Sequence, residues 1–276
     1  MASSPVDSRT TLVAMQGLKS ANADAARATE RLATGLRVVR ASDDPAGIGK
    51  AATLKSDIAS FMQAKKNINS AVGDMQKVTD GLNGILDYLT EMRTIAIAAA
   101  SETDEGVRTA YNTQFQELAQ GISDIAENIE FADKKVLGAN AGSITVQVGI
   151  TTASTKTLTF TAATAGSLNV AAATTNVTSG NASAQTAVTT AIDTVSNSLA
   201  KYGGYEASLY NYSDMADSAI LSKTSQYGDI MNADLALEAS NLASAKIRQD
   251  AATAMMAQAN SMNRNIADYL LNGAIG

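Results

Sequence analysis

Apolar side chains recur at helical spacing over both ends of the chain. Each series steps by three or four residues, as in a coiled-coil seam. The first series comprises Leu18, Ala21, Ala25, Ala28, Leu32, Gly35 and Val39, and the last comprises Leu235, Leu242, Ala245, Ala252, Met256, Ala259, Ile266 and Leu270. Most of these side chains are small, so the helices can approach closely but bury little apolar area alone. The pattern predicts that the two ends pair with each other or with copies of themselves.

Longer amphipathic helices are predicted between the two ends. One runs from Pro45 to about Ala100, a second has its apolar face from Tyr111 to Ile129, and a third runs from about Ala184 to Tyr227. Long helices joined by short turns indicate an antiparallel bundle. The predicted fold class is therefore mainly α, an elongated antiparallel helical bundle with paired terminal coiled-coil helices and a small β-hairpin excursion.

The hairpin is predicted in the centre of the chain, where the composition changes. Residues 139–186 contain 17 Ser or Thr and one charged side chain. Within them, SITVQV (143–148) and TKTLTF (155–160) alternate apolar and polar positions, as half-buried strands do. The following residues, 161–184, are predicted to form a loop or a small β lobe.

The first helical pattern breaks at SDDP and resumes at once. The helix is predicted to continue to Val39 before the break. Asp43 and Asp44 are residue types favoured at N-caps, and Pro45 suits the first helical position because its missing N–H would have no helical partner. These three residues therefore predict a joint between two helices.

Composition excludes several kinds of chemistry. The chain has no Cys and no His, so thiolate nucleophiles, His-based triads and the usual zinc sites are absent. Carboxylates cluster at 43–44 and 102–105, where capping of the predicted helices explains them. No catalytic residue, metal or cofactor is expected. The start, MASSPVDSRTTL, lacks the pattern of a secretory signal, and no apolar run is long enough to span a membrane.

Charge is unevenly distributed along the chain. Residues 1–40 carry six Lys or Arg and three Asp or Glu, whereas residues 41–234 carry 12 and 21. An acidic middle disfavours a nucleic-acid partner, because phosphates require a positive surface.

Motifs at both ends carry a family resemblance. ATERLATGLRVVRASDDPAGIG resembles the N-terminal signature of bacterial flagellins. NADLALE (232–238) and MMAQANSMNRNIADYLL (255–271) resemble the family's C-terminal signature, and ITVQVG resembles one of its strands. The two signatures stand in the family's order at opposite ends of the chain. The resemblance implies a subunit of the flagellar filament.

The resemblance also implies a layered arrangement. Residues 1–40 with 235–276 would form an inner coiled-coil layer. Its assembly interface would comprise Leu18, Ala25, Leu32, Gly35, Val39, Leu235, Leu242, Arg248, Met256, Ala259, Ile266 and Leu270. Residues 45–138 with 185–230 would form a second helical layer, and 139–184 a small outer segment. Asp43, Asp44 and Pro45 would be the joint between the two helical layers.

Partners are implied by the same resemblance. They are copies of the chain itself, sister flagellins, the flagellar cap and hook–filament junction proteins, and an export chaperone at the C-terminal helix. O-glycans on the Ser/Thr-rich centre are a further expectation. In this family the subunits are exported unfolded through the filament channel, and the terminal helices fold on assembly. The location implied is the extracellular flagellum, and the role is that of a propeller for motility.

Some residues depart from the family pattern. Lys246, Arg248 and Asp250 stand where the family tends to have Gln, Leu and Gln, so an altered contact between subunits is one interpretation and surface variation the other. LTEMRTIAIA (89–98) resembles the helix that an innate immune receptor binds in many flagellins. Arg93, Ile95 and Glu117 fit that surface approximately, but Glu91 replaces an Arg. Reversing this charge is expected to weaken receptor binding by about 1 kcal/mol or more.

Three alternatives remain at the level of sequence. A hook–filament junction protein would share both terminal signatures but would cap the assembly. A chemoreceptor-like signalling bundle would need uninterrupted helices and a membrane span. An enzyme would need a nucleophile–base pair, a phosphate loop or a metal cluster, and the sequence contains none of these motifs.

Overall fold

A computed structural model describes residues 5–171, 175–178 and 182–273 of the chain. The fold is mainly α, as predicted. The helices in these residues are α1 (Pro5–Thr34), α2 (Pro45–Ser101), α3 (Glu105–Asn128), α4 (Ala182–Met231) and α5 (Leu235–Gly273). Helix α3 begins at an N-cap, Asp104, whose carboxylate accepts the backbone N–H groups of Gly106 and Val107.

The described strands form two antiparallel pairs. Strands β1 (Glu130–Phe131) and β2 (Lys134–Lys135) make one pair, and β3 (Ser143–Gln147) and β4 (Thr155–Thr159) make the other. The β3–β4 hairpin confirms the sequence prediction. The β1–β2 hairpin was not predicted, because its two turn residues lack the Asn-Gly or Asp-Gly signal although both have positive φ.

The end of α1 differs from the prediction. The helix ends at Thr34 rather than Val39, because Gly35 adopts a left-handed conformation with φ of 69°. The Gly35 N–H still donates to the Arg31 carbonyl at 2.8 Å, which closes the last helical turn. Val39 therefore lies outside the helix.

The chain divides into two compact units. The terminal unit consists of Met1–Ser56 and Lys223–Gly276, and the central unit consists of Asp57–Ser222. In the central unit, large side chains from α2, α3, α4 and the strands form one hydrophobic core. The twelve largest fully buried side chains are Tyr202, Phe115, Phe131, Ile68, Met75, Leu82, Ile85, Leu89, Met92, Ile122, Leu137 and Leu158.

Residues after the β3–β4 hairpin help to complete the central core. The Phe160 ring packs against Tyr202 at a centroid distance of 5.3 Å, and the Thr161 N–H donates to the Tyr202 hydroxyl at 2.7 Å. Val170 and Val177 are buried farther along the same segment. The Ser/Thr-rich centre therefore contributes buried apolar side chains as well as exposed hydroxyls.

The terminal unit is built on contact between α1 and α5. A second, small cluster of Val38, Ala51 and Met231 lies where the chain leaves α1 and enters α5. Leu36, Ile48, Tyr227 and Ile230 pack around that cluster.

Candidate assembly interface

The contact between α1 and α5, here called the α1–α5 seam, is centred on alanines. The buried positions recur at seven-residue intervals on each helix, as expected for a coiled-coil row. These positions are Ala14, Ala21 and Ala28 on α1, and Glu238, Ala245 and Ala252 on α5. Alanine offers little side-chain area, so the two backbones can approach closely while burying little apolar surface.

The residues predicted for the seam from sequence occupy several positions. Leu18, Ala25, Leu32, Leu242, Met256 and Ala259 are half-buried beside the alanine rows. Leu235 is 53% exposed, and Arg248 is exposed at the seam's edge. The side chains of Ile266 and Leu270 lie outside the described residues. Placing Gly35 and Val39 on the helical seam was wrong, because α1 ends before both.

A buried carboxylate occupies the first position of the buried row on α5. Glu238 is only 6% exposed, and one of its oxygens accepts from the Arg31 guanidinium on α1 at 3.0 Å. Its other oxygen accepts from the Asn241 side-chain amide at 3.3 Å. Leaving either charge of this pair buried without the other would be costly, so Arg31 and Glu238 belong together. Sequence reasoning missed both residues.

A second ion pair crosses the seam one heptad away on α1. The Arg248 guanidinium of α5 lies 3.1 Å from the Asp24 carboxylate of α1. Arg27 binds the other oxygen of Asp24 at 2.7 Å. The hydrogen bond from Arg27, with the positive charge of Arg248 adding to it, lowers the pKa of Asp24. The two cross-helix pairs border one polar depression of about 300 Å³.

The joint consists of residues 35–45 together with 230–234. Its two backbone segments form an antiparallel bridge at Leu36 and Asn232. The Arg37 N–H donates to the Met231 carbonyl at 2.6 Å, and the Ala233 N–H donates to the Gly35 carbonyl at 2.9 Å. The joint therefore ties the segment after α1 to the segment before α5.

Three aspartates shape the helix starts and the turn in this joint. Asp44 caps α2 by accepting the Gly47 N–H at 2.8 Å, and Asp234 caps α5 in the same way. Asp43 accepts the backbone N–H groups of Arg40 and Val39. These hydrogen bonds, that of Arg40 first, lower the pKa of Asp43. Asp43 and Asp44 thus have different tasks, one in the turn and one at the helix start.

Large apolar side chains point away from the seam. On α1 and α5 several are at least half exposed, and the most exposed is Ile247 at 68%. The set comprises Leu12, Val13, Met15, Leu235, Leu237, Ile247, Met255 and Met262. None of the helices in the described part of the chain is long and apolar enough to cross a membrane. Large apolar side chains exposed together on two paired helices have the character of a protein–protein contact surface.

The residues assigned to a receptor surface divide into two groups. Glu91 and Arg93 are exposed on α2, and Glu117 is exposed on α3. Ile95 is only 6% exposed and belongs to the hydrophobic core of the central unit. Including Ile95 in a surface was wrong, because its position on α2 faces the core side of the helix.

Comparisons with known proteins identify similar sequences and one similar structure. Residues 8–142 match the bacterial flagellin N-terminal helical region, and residues 185–270 match the bacterial flagellin C-terminal helical region. A flagellin of Halalkalibacterium halodurans is 27% identical over 249 residues, covering 88% of this chain and 91% of that protein. A flagellin of Listeria innocua is 27% identical over 262 residues with the same two coverages. A crystal structure of Bacillus cereus flagellin aligns with 54% of this chain and 88% of its own, at 22% identity and a TM-score of 0.48.

The fold and the two matched regions define a structural protein built from paired terminal helices and a separate central core. The chain belongs to the bacterial flagellin family. It is accordingly a structural subunit of the flagellar filament.

Proposed function

We propose that the chain lengthens the flagellar filament by docking its terminal unit onto identical terminal units. The main supporting observation is that α1 and α5 pair through alanines while eight of their large apolar side chains remain exposed. We assign identical subunits as the binding partner of these exposed side chains, because both helices present such side chains and the family forms filaments. Docking would remove these side chains from water and complete a core that a single subunit lacks.

The same contrast explains why the terminal helices would fold on docking. Burial stabilises by about 25 cal/mol per Å² of apolar surface, whereas ordering a residue's backbone costs about 1–2 kcal/mol. The stabilisation from burying an alanine seam is smaller than the cost of ordering two long helices. Neighbouring copies supply the missing area, so growth is confined to filament ends where other subunits are already ordered.

The layered organisation is part of the proposal. Residues 1–40 and 235–276 form the inner layer, residues 45–138 and 185–230 the second layer, and 139–184 the outer segment. The backbone bridge at Leu36 and Asn232 and the helix cap at Asp44 support the assignment of Asp43, Asp44 and Pro45 to the joint between layers.

Export and partners follow from the same role. We assign export of the unfolded chain to the extracellular filament, with no disulfide to constrain it. The assigned partners are sister flagellins, cap and junction proteins, and an export chaperone on α5. O-glycans would attach to exposed hydroxyls of the Ser/Thr-rich centre, whereas Thr164 and Thr175 are buried and unsuited to them. The exposed Glu91 would weaken binding of the immune receptor.

Seeded assembly tests the proposal. Monomers mixed with short filament seeds should elongate them, with a rise in helical circular dichroism as the terminal helices fold. Ile247→Ser should raise the critical concentration because it removes an exposed apolar contact. Lys246→Ser, at the exposed neighbouring position, is the matched control and should elongate normally.

Two outcomes would contradict the proposal. Monomers that are already as helical as filaments would refute folding on docking. Monomers that bind only at filament tips, without further growth, would instead favour a hook–filament junction protein.

A further inference from the structure

The alanine seam by itself does not determine the register of α1 against α5, and the backbone bridge between Leu36 and Asn232 opposes sliding only at the joint end of the two helices. On α1 the buried row repeats Ala at 14, 21 and 28, and on α5 it repeats Ala at 245 and 252. Sliding α5 by one heptad would bring alanine rows together again, with nearly the same packing. A heptad slip moves the helices by about 10 Å, because each residue rises 1.5 Å. Apolar packing alone therefore distinguishes the correct register poorly.

The charged residues of the seam form opposite-charge pairs in the native register and distinguish it from the slipped ones. Arg31 pairs with the buried Glu238, and Asp24 pairs with Arg248, so both cross-helix contacts join opposite charges. The members of each pair come from opposite ends of the sequence, 207 residues apart for Arg31 and Glu238. Polar residues within an apolar seam are a known means of fixing register in coiled coils.

Slipped registers would bring like charges together. A slip of seven residues in one direction would move Arg248 from Asp24 to the place opposite Arg31. The same slip in the other direction would move Glu238 from Arg31 to the place opposite Asp24. Each slip would break both native pairs and create one repulsive contact.

We propose that Arg31, Asp24, Glu238 and Arg248 set the register in which the two ends of the chain pair. The four residues act as register-determining residues: their alternating signs favour one alignment and oppose the two nearest alternatives. This inference rests on the proposed function, because the pair would form as each subunit docks. A correct register in turn places the exposed apolar side chains of α1 and α5 where neighbouring copies repeat.

Exchanging the two charges of an ion pair tests this register proposal without removing the pair. Asp24→Arg with Arg248→Asp keeps opposite charges in the native register, but it makes both slipped registers attractive. Arg31→Glu with Glu238→Arg has the same effect through the buried pair. Exchanging both pairs together restores repulsion in each slipped register. We therefore expect that either double exchange loosens the register and that the fourfold exchange restores it.

Spin-label distances report the register directly. Because the chain lacks Cys, labels can be attached at Ala26→Cys and Ala257→Cys, two exposed positions on α1 and α5. Labelled subunits are diluted with unlabelled ones on filament seeds, and pulsed electron paramagnetic resonance measures the distance within one chain. The chain with native charges and the fourfold exchange should each give a single label-to-label distance. Each double exchange should add further distances, from chains in which α5 has moved along α1 by about 10 Å.

The matched control exchanges an ion pair elsewhere. Lys65 and Asp217 form a cross-helix pair within the central unit at 2.6 Å, so Lys65→Asp with Asp217→Lys should leave the distance unchanged. A single native population in both double exchanges would overturn the proposal, as would equal broadening in the fourfold exchange or in this control. Should a double exchange abolish elongation, recovery in the fourfold exchange supports the proposal, and loss in both contradicts it.

Failure of the proposed function would be recognised separately. If the chain with native charges and labels does not elongate seeds, the proposed function is wrong. The same distances are then recorded on full-length monomers folded with trimethylamine N-oxide, which favours compact states. There, too, one native population in the double exchanges would overturn the register proposal.

Discussion

The central and terminal units differ in the side chains they bury. The central unit encloses all twelve of the largest fully buried side chains, including Tyr202, Phe115 and Phe131. Among the described side chains, the terminal unit buries mostly alanine, with Val38, Leu54 and Met231 as its larger members. Its described residues also expose eight large apolar side chains, compared with seven in the larger central unit. The units therefore differ chiefly in what they bury, because one has a core of large side chains and the other buries little beyond alanine.

This difference separates folding from assembly within one chain. A unit with a large core can be stable in a single subunit, so its fold need not depend on concentration. A unit whose apolar area is supplied by neighbours is stable only when they are present, by mass action. Variants in the two units should consequently affect different measurements.

The largest effect is expected from a cavity in the central unit. Phe115→Ala removes a fully buried ring and should lower the free energy of unfolding by about 3–5 kcal/mol. Urea unfolding of the monomer measures this loss. Leu12→Ala, at an exposed position of the terminal unit, is the control and should leave the monomer's urea midpoint in place. A similar loss in both variants would contradict a division between the units.

A large side chain in the alanine seam should affect filament elongation and leave the stability of the monomer unchanged. Ala21→Leu would force α1 and α5 apart, at about 1–3 kcal/mol for overpacking. The critical concentration for elongation should rise roughly five- to 150-fold, while monomer unfolding stays the same. Ala23→Leu, on the exposed side of the same helix, is the matched control. Equal critical concentrations for Ala21→Leu and the unsubstituted chain would show that the seam is not closely packed in the filament.

The left-handed turn at the joint gives a smaller effect. Gly35→Ala places a side chain at a φ of 69° and should cost about 1–2 kcal/mol, although no neighbouring atom obstructs it. Elongation assays should show a critical concentration raised about five- to 30-fold. Gly17→Ala, in open space within α1, should favour the helix and lower the critical concentration. The same direction of change in both variants would argue against a conformational cause.

Protonation of the Asp43 carboxylate should weaken the joint, and its lowered pKa confines this effect to low pH. Hydrogen bonds from the joint's backbone lower the pKa of Asp43 below its ordinary value of 3.8. Its contribution is therefore complete above that value and is lost as the pH falls through the lowered pKa. Filaments should keep a constant critical concentration from pH 7 to about 5 and lose subunits below about 4. Asp43→Asn should reduce this acid dependence slightly, and a loss of subunits already near pH 6 would point to other groups.

Local patterns predicted most of the fold. Helices α2 and α5 and the β3–β4 hairpin are where the apolar periodicity places them. The early end of α1 had a signal in Gly35, which directly follows a last turn containing Arg31. The β1–β2 turn had a weaker signal, because Asp133 belongs to a residue type that tolerates positive φ but Ala132 does not.

The candidate site was less predictable, for a physical reason. The spacing of the terminal helices identified the correct faces, including their alanines, but several leucines were chosen for the assembly interface in place of the central alanines. Close backbone approach instead centres the seam on alanines and leaves Leu18 and Leu32 at its edge. The Arg31–Glu238 pair joins residues far apart in sequence, so no local pattern could connect them.

Hydrogen–deuterium exchange of monomer and filament tests the division between units most directly. We expect slow exchange for the core helices of residues 57–222 in both states. For α1 and α5 we expect fast exchange in the monomer and slow exchange only in the filament. Equal protection of α1 and α5 in both states would contradict the account, because the terminal helices would then be stable without their neighbours.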